Sequence, residues 1–96
     1  MACLKQCEFN KAVHFFNQAV GRNPDDPEAY NHRGLAYLQQ GELDKAVHNF
    51  NQAIGRNHQG AEVYLNRCAA YCLKGDLYKA AADLKRAKEL APNVDE

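Results

Sequence analysis

The residues of this sequence best able to bind a metal or form a covalent bond are two pairs of cysteines. They are Cys3 with Cys7 and Cys68 with Cys72, each pair spaced four residues apart. Thiolates one helical turn apart can share a zinc ion, but neither pair has a histidine at a familiar ligand spacing. On a helix, side chains at this spacing also seldom reach disulfide geometry. We therefore predict structural, free cysteines in a reducing compartment and no bound metal.

Catalysis finds no support in the residue types. The sequence contains no serine or threonine, which excludes a serine or threonine nucleophile activated by a neighbouring base and acid. It also lacks a glycine-rich loop of the kind that holds phosphate groups. We expect no enzymatic activity and no cofactor.

His14 and His48 are equivalent residues of a duplicated segment, and we expect both to face solvent. They belong to a repeated polar surface that also includes Asn17 and Asn51, Gln18 and Gln52, and Arg22 and Arg56. This surface is either a second binding face or an indifferent surface copied by duplication. We favour the second interpretation.

The overall charge bears on the class of partner. Twelve basic and twelve acidic residues balance to zero, and the pI is about 6.9, so no excess positive field attracts nucleic acid or anionic lipid. No apolar run approaches the ~20 residues of a membrane-spanning helix. The N-terminus lacks the basic leader and apolar core of a signal peptide. We expect a cytoplasmic protein with no nucleic-acid or membrane partner.

An internal repeat organises the chain. Residues 8–24 return as residues 42–58 with twelve identities in seventeen positions, at a shift of 34 residues, and more loosely as residues 76–92. A fixed period of this size indicates stacked supersecondary units. We predict a single array of about two and a half repeats. Its parts are an N-truncated repeat at 1–24, full repeats at 27–58 and 61–92, and a tail at 93–96.

Start and stop signals predict the helices of the middle unit. Asp26 can cap free amides and Pro27 suits the first helical position, so we predict a helix from Pro27 to Gln40. Gly41 supplies the left-handed residue that ends it. Apolar residues at three- and four-residue steps then predict a second helix from Glu42 to Arg56.

The same pattern predicts the remaining helices. In the last unit they run from Ala61 to Lys74 and from Asp76 to about Leu90, with Gly75 between them. In the first unit we predict a short helical stub, Met1 to Gln6, and a helix from Glu8 to Val20. No segment alternates with a period of two, so we expect no strands.

Small residues mark the places where helices approach closely. Gly34 and its equivalent Cys68 leave room for large facing groups, and alanines do the same on the second helix of each unit. The alanines are Ala46, Ala53, Ala80 and Ala87, and the large groups include Tyr37, Tyr71, Phe50 and Leu84. Because one helix pair cannot bury its apolar face alone, stability must come from stacking on the next pair.

Residues at fixed positions of the units form a known pattern, W-x2-L-G-x2-Y, then A-x3-F, then P. The middle unit supplies Tyr30, Arg33, Gly34, Tyr37, Ala46, Phe50 and His58; the last supplies Tyr64, Arg67, Cys68, Tyr71, Ala80, Leu84 and Pro92; the first keeps Ala12, Phe16 and Pro24. The units therefore resemble the tetratricopeptide repeat. Arginine replaces the usual leucine, and we expect its aliphatic stem to lie over the core while its charge stays in solvent.

This resemblance implies an all-α superhelix of antiparallel helix pairs that acts as a protein-interaction scaffold. In the family, the first helix of each unit lines a concave groove that receives an extended peptide or a partner helix. The groove candidates by register are Glu28, Asn31, Leu35, Leu38, Glu62, Leu65, Asn66, Ala69 and Leu73. The alternative is that they form the solvated inner face of a spacer repeat.

A co-chaperone subtype of the family grips the C-terminal carboxylate of heat-shock chaperones with lysine, arginine and asparagine side chains. Asn66 resembles one contact residue of that clamp. Asn31 and Leu35 stand where the clamp requires lysine and asparagine, and a third first helix is lacking. The clamp is therefore incomplete within this chain.

The two ends of the array lack the polar terminal units that repeat arrays require. We expect either a fragment or a short member of the family whose ends need covering. Self-association through these end faces, or stacking on flanking repeats, is the structural alternative to groove binding.

Overall fold

Five helices joined by short turns make up the described part of the chain. The computed structural model describes residues 2–56 and 60–91, with side chains from residue 8 onward. The helices are α1 (Ala2–Arg22), α2 (Pro27–Gln40), α3 (Leu43–Gly55), α4 (Ala61–Lys74) and α5 (Leu77–Leu90). These residues contain no strand, so the predicted all-α class is confirmed. His58, Pro92 and the 93–96 tail lie outside the described residues.

The predicted caps of α2 are confirmed. The side chain of Asp26 accepts a hydrogen bond from the backbone N–H of Glu28 at 3.0 Å. Pro27 occupies the first turn, where its missing N–H has no helical partner to lose. Gly41 ends the helix with φ of 81°, a left-handed conformation that costs glycine little.

Both glycine turns close their helices with the same pair of backbone hydrogen bonds. Gly41 N–H donates to the carbonyl of Leu38, and the N–H of the next residue donates to that of Tyr37. Gly75, with φ of 85°, repeats this arrangement with the carbonyls of Cys72 and Tyr71. The orphan carbonyls at the end of each helix are thereby satisfied. Each turn makes the two flanking helices antiparallel neighbours.

The predicted break in the first unit is wrong. Instead of a stub and a separate helix, α1 runs without interruption over 21 residues. The reason lies at Cys7, which occupies the register position of Gly41 and Gly75. A left-handed conformation costs a residue with a Cβ about 1–2 kcal/mol. Because the left-handed conformation is unfavourable for Cys7, the helix continues through this position.

Packing follows the order of the chain. Each helix contacts its sequence neighbours, and α2 also contacts α4. Thus α2 and α4 form an inner layer, while α1, α3 and α5 form an outer one. The core lies between the layers and is made of Tyr30, Ala46, Phe50, Ala53, Val63 and Ala70.

The prediction of close approach at the small residues is confirmed at Gly34. A Cβ added there would lie 2.6 Å from Cε1 of Phe50, a distance that side-chain packing does not tolerate. Phe50 itself is fully buried. Ala46, Ala53, Ala80 and Ala87 are also buried, so these residues let the inner and outer helices come together.

Candidate functional site

The nine groove candidates on α2 and α4 differ widely in exposure. Glu28, Glu62, Ala69 and Leu73 are exposed; Leu35, Leu38, Leu65 and Asn66 are half-buried; Asn31 is buried. Leu38 packs against the core that surrounds Phe50, which gives it a structural role. Three of the four exposed candidates therefore lie on α4, and Leu73 with 66% exposure is the largest apolar one among them.

An amide pair joins α2 to α4 across the inner layer. Nδ2 of Asn66 donates to Oδ1 of Asn31 over 3.2 Å. Asn31 is fully buried, and no described residue accepts a hydrogen bond from its own Nδ2. A buried donor without a partner costs about 1–3 kcal/mol. Within the described residues, Oδ1 of Asn66 accepts no hydrogen bond.

Leu35 lies in a small crevice between α1 and α2. The cavity measures about 170 Å³, and Phe9, Phe16 and His32 are among the residues that line it. The rings of Phe16 and His32 stack with their centroids 5.6 Å apart. The crevice therefore extends the apolar part of the inner face toward α1.

On the other flank of the inner helices, Arg67 forms an ion pair with a buried acid. Its Nε and Nη2 donate to the two carboxylate oxygens of Asp83 at 2.9 and 2.6 Å. Asp83 is only 3% exposed. Nη1 of Arg67 donates to Oδ1 of Asn51 at 2.7 Å. The hydrogen bond to Asp83 raises the pKa of Arg67 above its ordinary value, against the opposing effect of burial.

Arg33 occupies the same position one repeat earlier and makes related contacts. Its Nε donates to Oδ1 of Asn49 at 2.6 Å, and its Nη1 donates to Oδ1 of Asn17 at 2.9 Å. Asn49 corresponds by register to Asp83. We call these two sites, each consisting of the arginine and its two partners, arginine corners. Each corner joins an inner helix to the two outer helices that flank it.

The corners correct two predictions made from the sequence. The charge of Arg67 does not stay in solvent, because a buried carboxylate holds it. Asn17 and Asn51 do not belong to an indifferent surface, since each accepts a hydrogen bond from the arginine of the following helix. The prediction that His14 and His48 face solvent is confirmed.

A further duplicated arginine also makes specific contacts. Nε of Arg56 donates to the carbonyl of Pro24 at 2.6 Å, and its Nη1 donates to Oε1 of Gln52 at 2.6 Å. The guanidinium carbon lies 4.3 Å from the centroid of the Tyr30 ring, a cation–π distance. Arg56 therefore ties the end of α3 to the start of α2.

The cysteines of α4 are free thiols. Cys68 is half-buried and Cys72 is exposed. Burial raises the pKa of the Cys68 thiol, and the neighbouring Cys72 acts in the same direction. In residues 2–56 and 60–91 no group of three or more histidine, cysteine or acidic side chains has the arrangement of a metal site. The side chains of Cys3 and Cys7 lie outside the described residues.

Sequence analysis missed Asp83 and Asn49 as partners of the arginines. A signal was nevertheless present, because the partner follows the arginine by 16 residues in both repeats. The same separation of 16 residues occurs in two successive repeats, which indicates that the same contact forms in both. Only the chemical type of the partner, amide or acid, differs between the two corners.

None of the helices in the described part of the chain is both long and apolar enough to cross a membrane.

Comparison with protein families gives two matches. A family model for the tetratricopeptide repeat matches residues 27–59, and one described as TPR repeat matches residues 2–41. Together they cover residues 2–59, more than half of the chain. No curated protein matches the sequence.

Solved structures agree closely with the fold. The Arabidopsis OM64 TPR domain is 28% identical with a TM-score of 0.86, and the match covers 96% of this chain and 76% of that one. A structure described as YrrB, a TPR protein with an unusual peptide-binding site, is 25% identical with a TM-score of 0.85; the match covers 96% of this chain and 47% of that one. MamA MSR-1 C2, at 24% identity, matches in fold alone with a TM-score of 0.82 over 88% of this chain and 49% of that one.

Proposed function

Because this chain belongs to the tetratricopeptide repeat family, whose members generally serve as protein-interaction modules, we propose that it binds an extended segment of a partner protein along α2 and α4. The observation that carries this proposal is the exposed stretch of α4 around Leu73 and Ala69, which adjoins the amide of Asn66. One structural relative, YrrB, is described as having a peptide-binding site.

Backbone recognition falls to Asn66 in this proposal. Asn66 is half-buried as a residue, and its Oδ1 can accept a hydrogen bond from a backbone N–H of the ligand while its Nδ2 stays on Asn31. An amide pair that leaves one buried donor unsatisfied destabilises the fold. Its presence between the inner helices supports a role in binding rather than in stability.

Side-chain recognition falls to Leu73 and Glu62. An apolar side chain of the ligand that covers Leu73 gains about 25 cal/mol per Å² of apolar surface removed from water. Glu62 is exposed in the first turn of α4, where it can pair with a basic ligand residue. The preferred ligand is therefore an extended segment with one apolar and one basic side chain.

The test begins with a phage library of random linear peptides selected on the intact chain. Peptides that bind are then titrated in solution by fluorescence polarisation against wild type, Asn66→Ala and Leu73→Asp. We expect Asn66→Ala to weaken binding about 2- to 10-fold, the equivalent of one hydrogen bond. Leu73→Asp should weaken it more than tenfold, because it places a charge where apolar surface is buried.

Leu77→Asp is the matched control. Leu77 is 67% exposed and Leu73 is 66% exposed, so the two variants introduce the same charge at equally exposed leucines. Leu77 lies on α5, outside the groove. Equal loss of binding in both variants, or peptides insensitive to Asn66→Ala and Leu73→Asp, would show that the groove assignment is wrong.

A second candidate function is self-association through the ends of the array. Large apolar side chains are exposed on the two terminal helices: Phe15 at 63% on α1, and Leu77 and Tyr78 at 67% and 93% on α5. Singly exposed apolar residues are common, but two on one helix end favour a contact with a second copy or with flanking repeats.

Light scattering across a range of protein concentrations distinguishes this candidate. We expect the mass of wild type to rise toward that of a dimer and the mass of Leu77→Asp to remain that of the monomer. Leu73→Asp should behave as wild type in this assay. A concentration-independent monomer mass for wild type would eliminate the candidate.

The division into repeats remains a proposal with the predicted boundaries at 1–24, 27–58, 61–92 and 93–96. The continuous α1 changes the helix content of the first predicted repeat. The first repeat contributes a single long helix rather than a stub and a helix. Binding along the inner layer therefore depends on α2 and α4.

A further inference from the structure

We propose that the arginine corner of the middle repeat is a binding site for a carboxylate supplied by a ligand. A cavity of about 400 Å³ adjoins this corner, and it is lined by Arg33, Tyr37, Asp44, Lys45, His48 and Asn49. In this proposal the ligand carboxylate accepts a hydrogen bond from Arg33 on the side of the cavity, beside Asn49, which stands where the next repeat has its own buried acid.

The corner at Arg67 provides the internal reference. There the guanidinium is satisfied by a carboxylate of the same repeat, since Nε and Nη2 each bond one oxygen of Asp83. Paired donors facing paired oxygens form the strongest arginine contact. In this repeat the carboxylate that binds the arginine therefore belongs to the protein itself.

The corner at Arg33 has the same donors and one acceptor fewer. Asn49 offers a single side-chain oxygen, which Nε of Arg33 occupies at 2.6 Å. The amide nitrogen of Asn49 donates to the carbonyl of Lys45 at 2.8 Å, which fixes the orientation of the amide. Among the described residues, Nη2 of Arg33 has no hydrogen-bond partner and the guanidinium has no carboxylate partner.

The charges around the cavity also favour an anion. Asp44 is the one acidic side chain in its lining, and its carboxylate is bound by the ammonium group of Lys74. Lys45 is held loosely, with its Nζ 3.9 Å from Oε2 of Glu42 and both side chains more than half exposed. Lys45 can therefore turn toward a ligand at little cost. Arg33 and Lys45 together leave the cavity positively charged.

This site is distinct from the groove proposed above. Arg33 and Tyr37 each lie two residues beyond the groove candidates Asn31 and Leu35. Two residues correspond to about 200° around an α-helix. The cavity therefore opens on the flank of α2 that faces α3, away from the inner face, and its ligand does not compete with a peptide in the groove.

A carboxylate is the favoured ligand because the equivalent arginine, Arg67, is bound by the carboxylate of Asp83. Its source is either a small free acid or an acidic side chain of a peptide. Two probes separate these sources: sodium acetate, and a capped pentapeptide of alanines with one central aspartate. Sodium phosphate tests the competing anion, and sodium chloride at equal ionic strength is the blank.

Binding is measured by NMR from the side-chain N–H signals of arginine. In wild type we expect saturable shifts of the Arg33 signals with acetate or with the peptide, and smaller ones at Arg67. A tighter response to the peptide identifies a peptide side chain as the source. An equal response identifies a small free acid.

Three variants make the test decisive. Asn49→Asp should fill the site from within and weaken acetate binding at least tenfold. Asp83→Asn should open a second site, so that Arg67 responds to acetate as Arg33 does. Lys45→Ala removes an exposed side chain whose contacts are a 3.9 Å ion pair with Glu42 and a cation–π contact with the ring of Tyr37, and it should weaken binding severalfold.

Circular dichroism establishes that each variant is folded. The proposal is overturned if acetate and the peptide give no saturable shift in wild type. It is equally overturned if Lys45→Ala and a folded Asn49→Asp respond as wild type does, or if phosphate binds more tightly than both carboxylates.

Discussion

Arg33 and Arg67 occupy the same position in successive repeats, yet they differ in the charge of their partner. The pair formed by Arg67 and Asp83 places an acid with 3% exposure beneath a guanidinium. A buried pair of this kind contributes little net stability compared with apolar residues, but removing one partner leaves the other charge uncompensated. At the Arg33 corner the partner is the neutral amide of Asn49, so the loss of that partner removes no counter-charge.

We predict that Asp83→Ala lowers the free energy of unfolding by about 3–5 kcal/mol, because Arg67 is left without its counter-charge. Urea denaturation measures the loss. The control is Glu89→Ala, which removes a pair with Arg86 in which both side chains are about half exposed, and which should cost about 1 kcal/mol or less. Similar losses in the two variants would contradict a special role for the buried pair.

Cys68 and Cys72 are predicted to differ in reactivity. Burial raises the pKa of Cys68, so less of its reactive thiolate is present at about pH 8, while Cys72 is exposed. In variants that retain only one of the two and no other cysteine, we expect iodoacetamide to modify Cys72 at least about tenfold faster. The rates should converge in denaturant. Equal rates in the folded protein would contradict the burial of Cys68.

The raised pKa of Cys68 also sets the sign of a pH effect. The folded state favours the neutral thiol more than the unfolded state does. Its contribution to stability is therefore complete below the ordinary thiol pKa and is lost as the pH rises through the higher pKa of the folded state. The stability of a Cys68→Ala variant should fall less between neutral and alkaline pH than that of wild type.

At the scale of the helices, four of the five elements follow from local signals. Asp26 and Pro27 start α2, the two turn glycines end α2 and α4, and Asp76 caps α5. Each of these residues acts within a few positions of its own location. The continuity of α1 also follows from a local signal, because position 7 is a cysteine and not a glycine. The repeat register predicts a break at this position, but the glycine that makes the turn in the other two repeats is lacking there.

The contacts between helices were less accessible to prediction. The apolar spacing identifies which residues are covered, as Phe50 and Ala53 show. It does not reveal that Asn31 is buried whereas Ala69 is exposed, since both belong to the predicted groove by register. Their burial depends on how far α4 leans over α2, and this angle arises from all the packed side chains together.

Gly34 gives the test at this scale. We predict that Gly34→Ala destabilises the fold by about 1–3 kcal/mol, because its Cβ would meet the buried ring of Phe50 at 2.6 Å. The control is Gly21→Ala in α1, where nothing lies within 4 Å of the added Cβ. That change should stabilise by about 0.4–1 kcal/mol. Thermal unfolding of both variants measures the difference, and a stabilising Gly34→Ala would refute the close approach.

At the scale of the whole molecule, the contacts form a nearly linear chain. Among the five described helices, the terminal ones, α1 and α5, each contact one other helix, whereas α2 contacts α1, α3 and α4. In arrays of this type, stability is close to a sum of unit and neighbour terms. The ends should therefore open before the centre.

Hydrogen exchange provides the corresponding measurement. We predict that the amides of α2, α3 and α4 exchange more slowly than those of α1 and α5, because the terminal helices are held from one side only. The comparison is made at one pH and temperature with intact protein. Uniform protection across all five helices would instead indicate a single cooperative unit.

The same succession of contacts governs how fast the chain folds. Apart from the contact between α2 and α4, the helices in the described part of the chain touch their neighbours in sequence. Stabilising contacts between neighbouring helices can therefore form before more distant segments meet, so little loop-closure entropy opposes the transition state. Helical proteins with such local contacts fold in microseconds to milliseconds. The repeat that determines the architecture thereby also places the protein among rapidly folding domains.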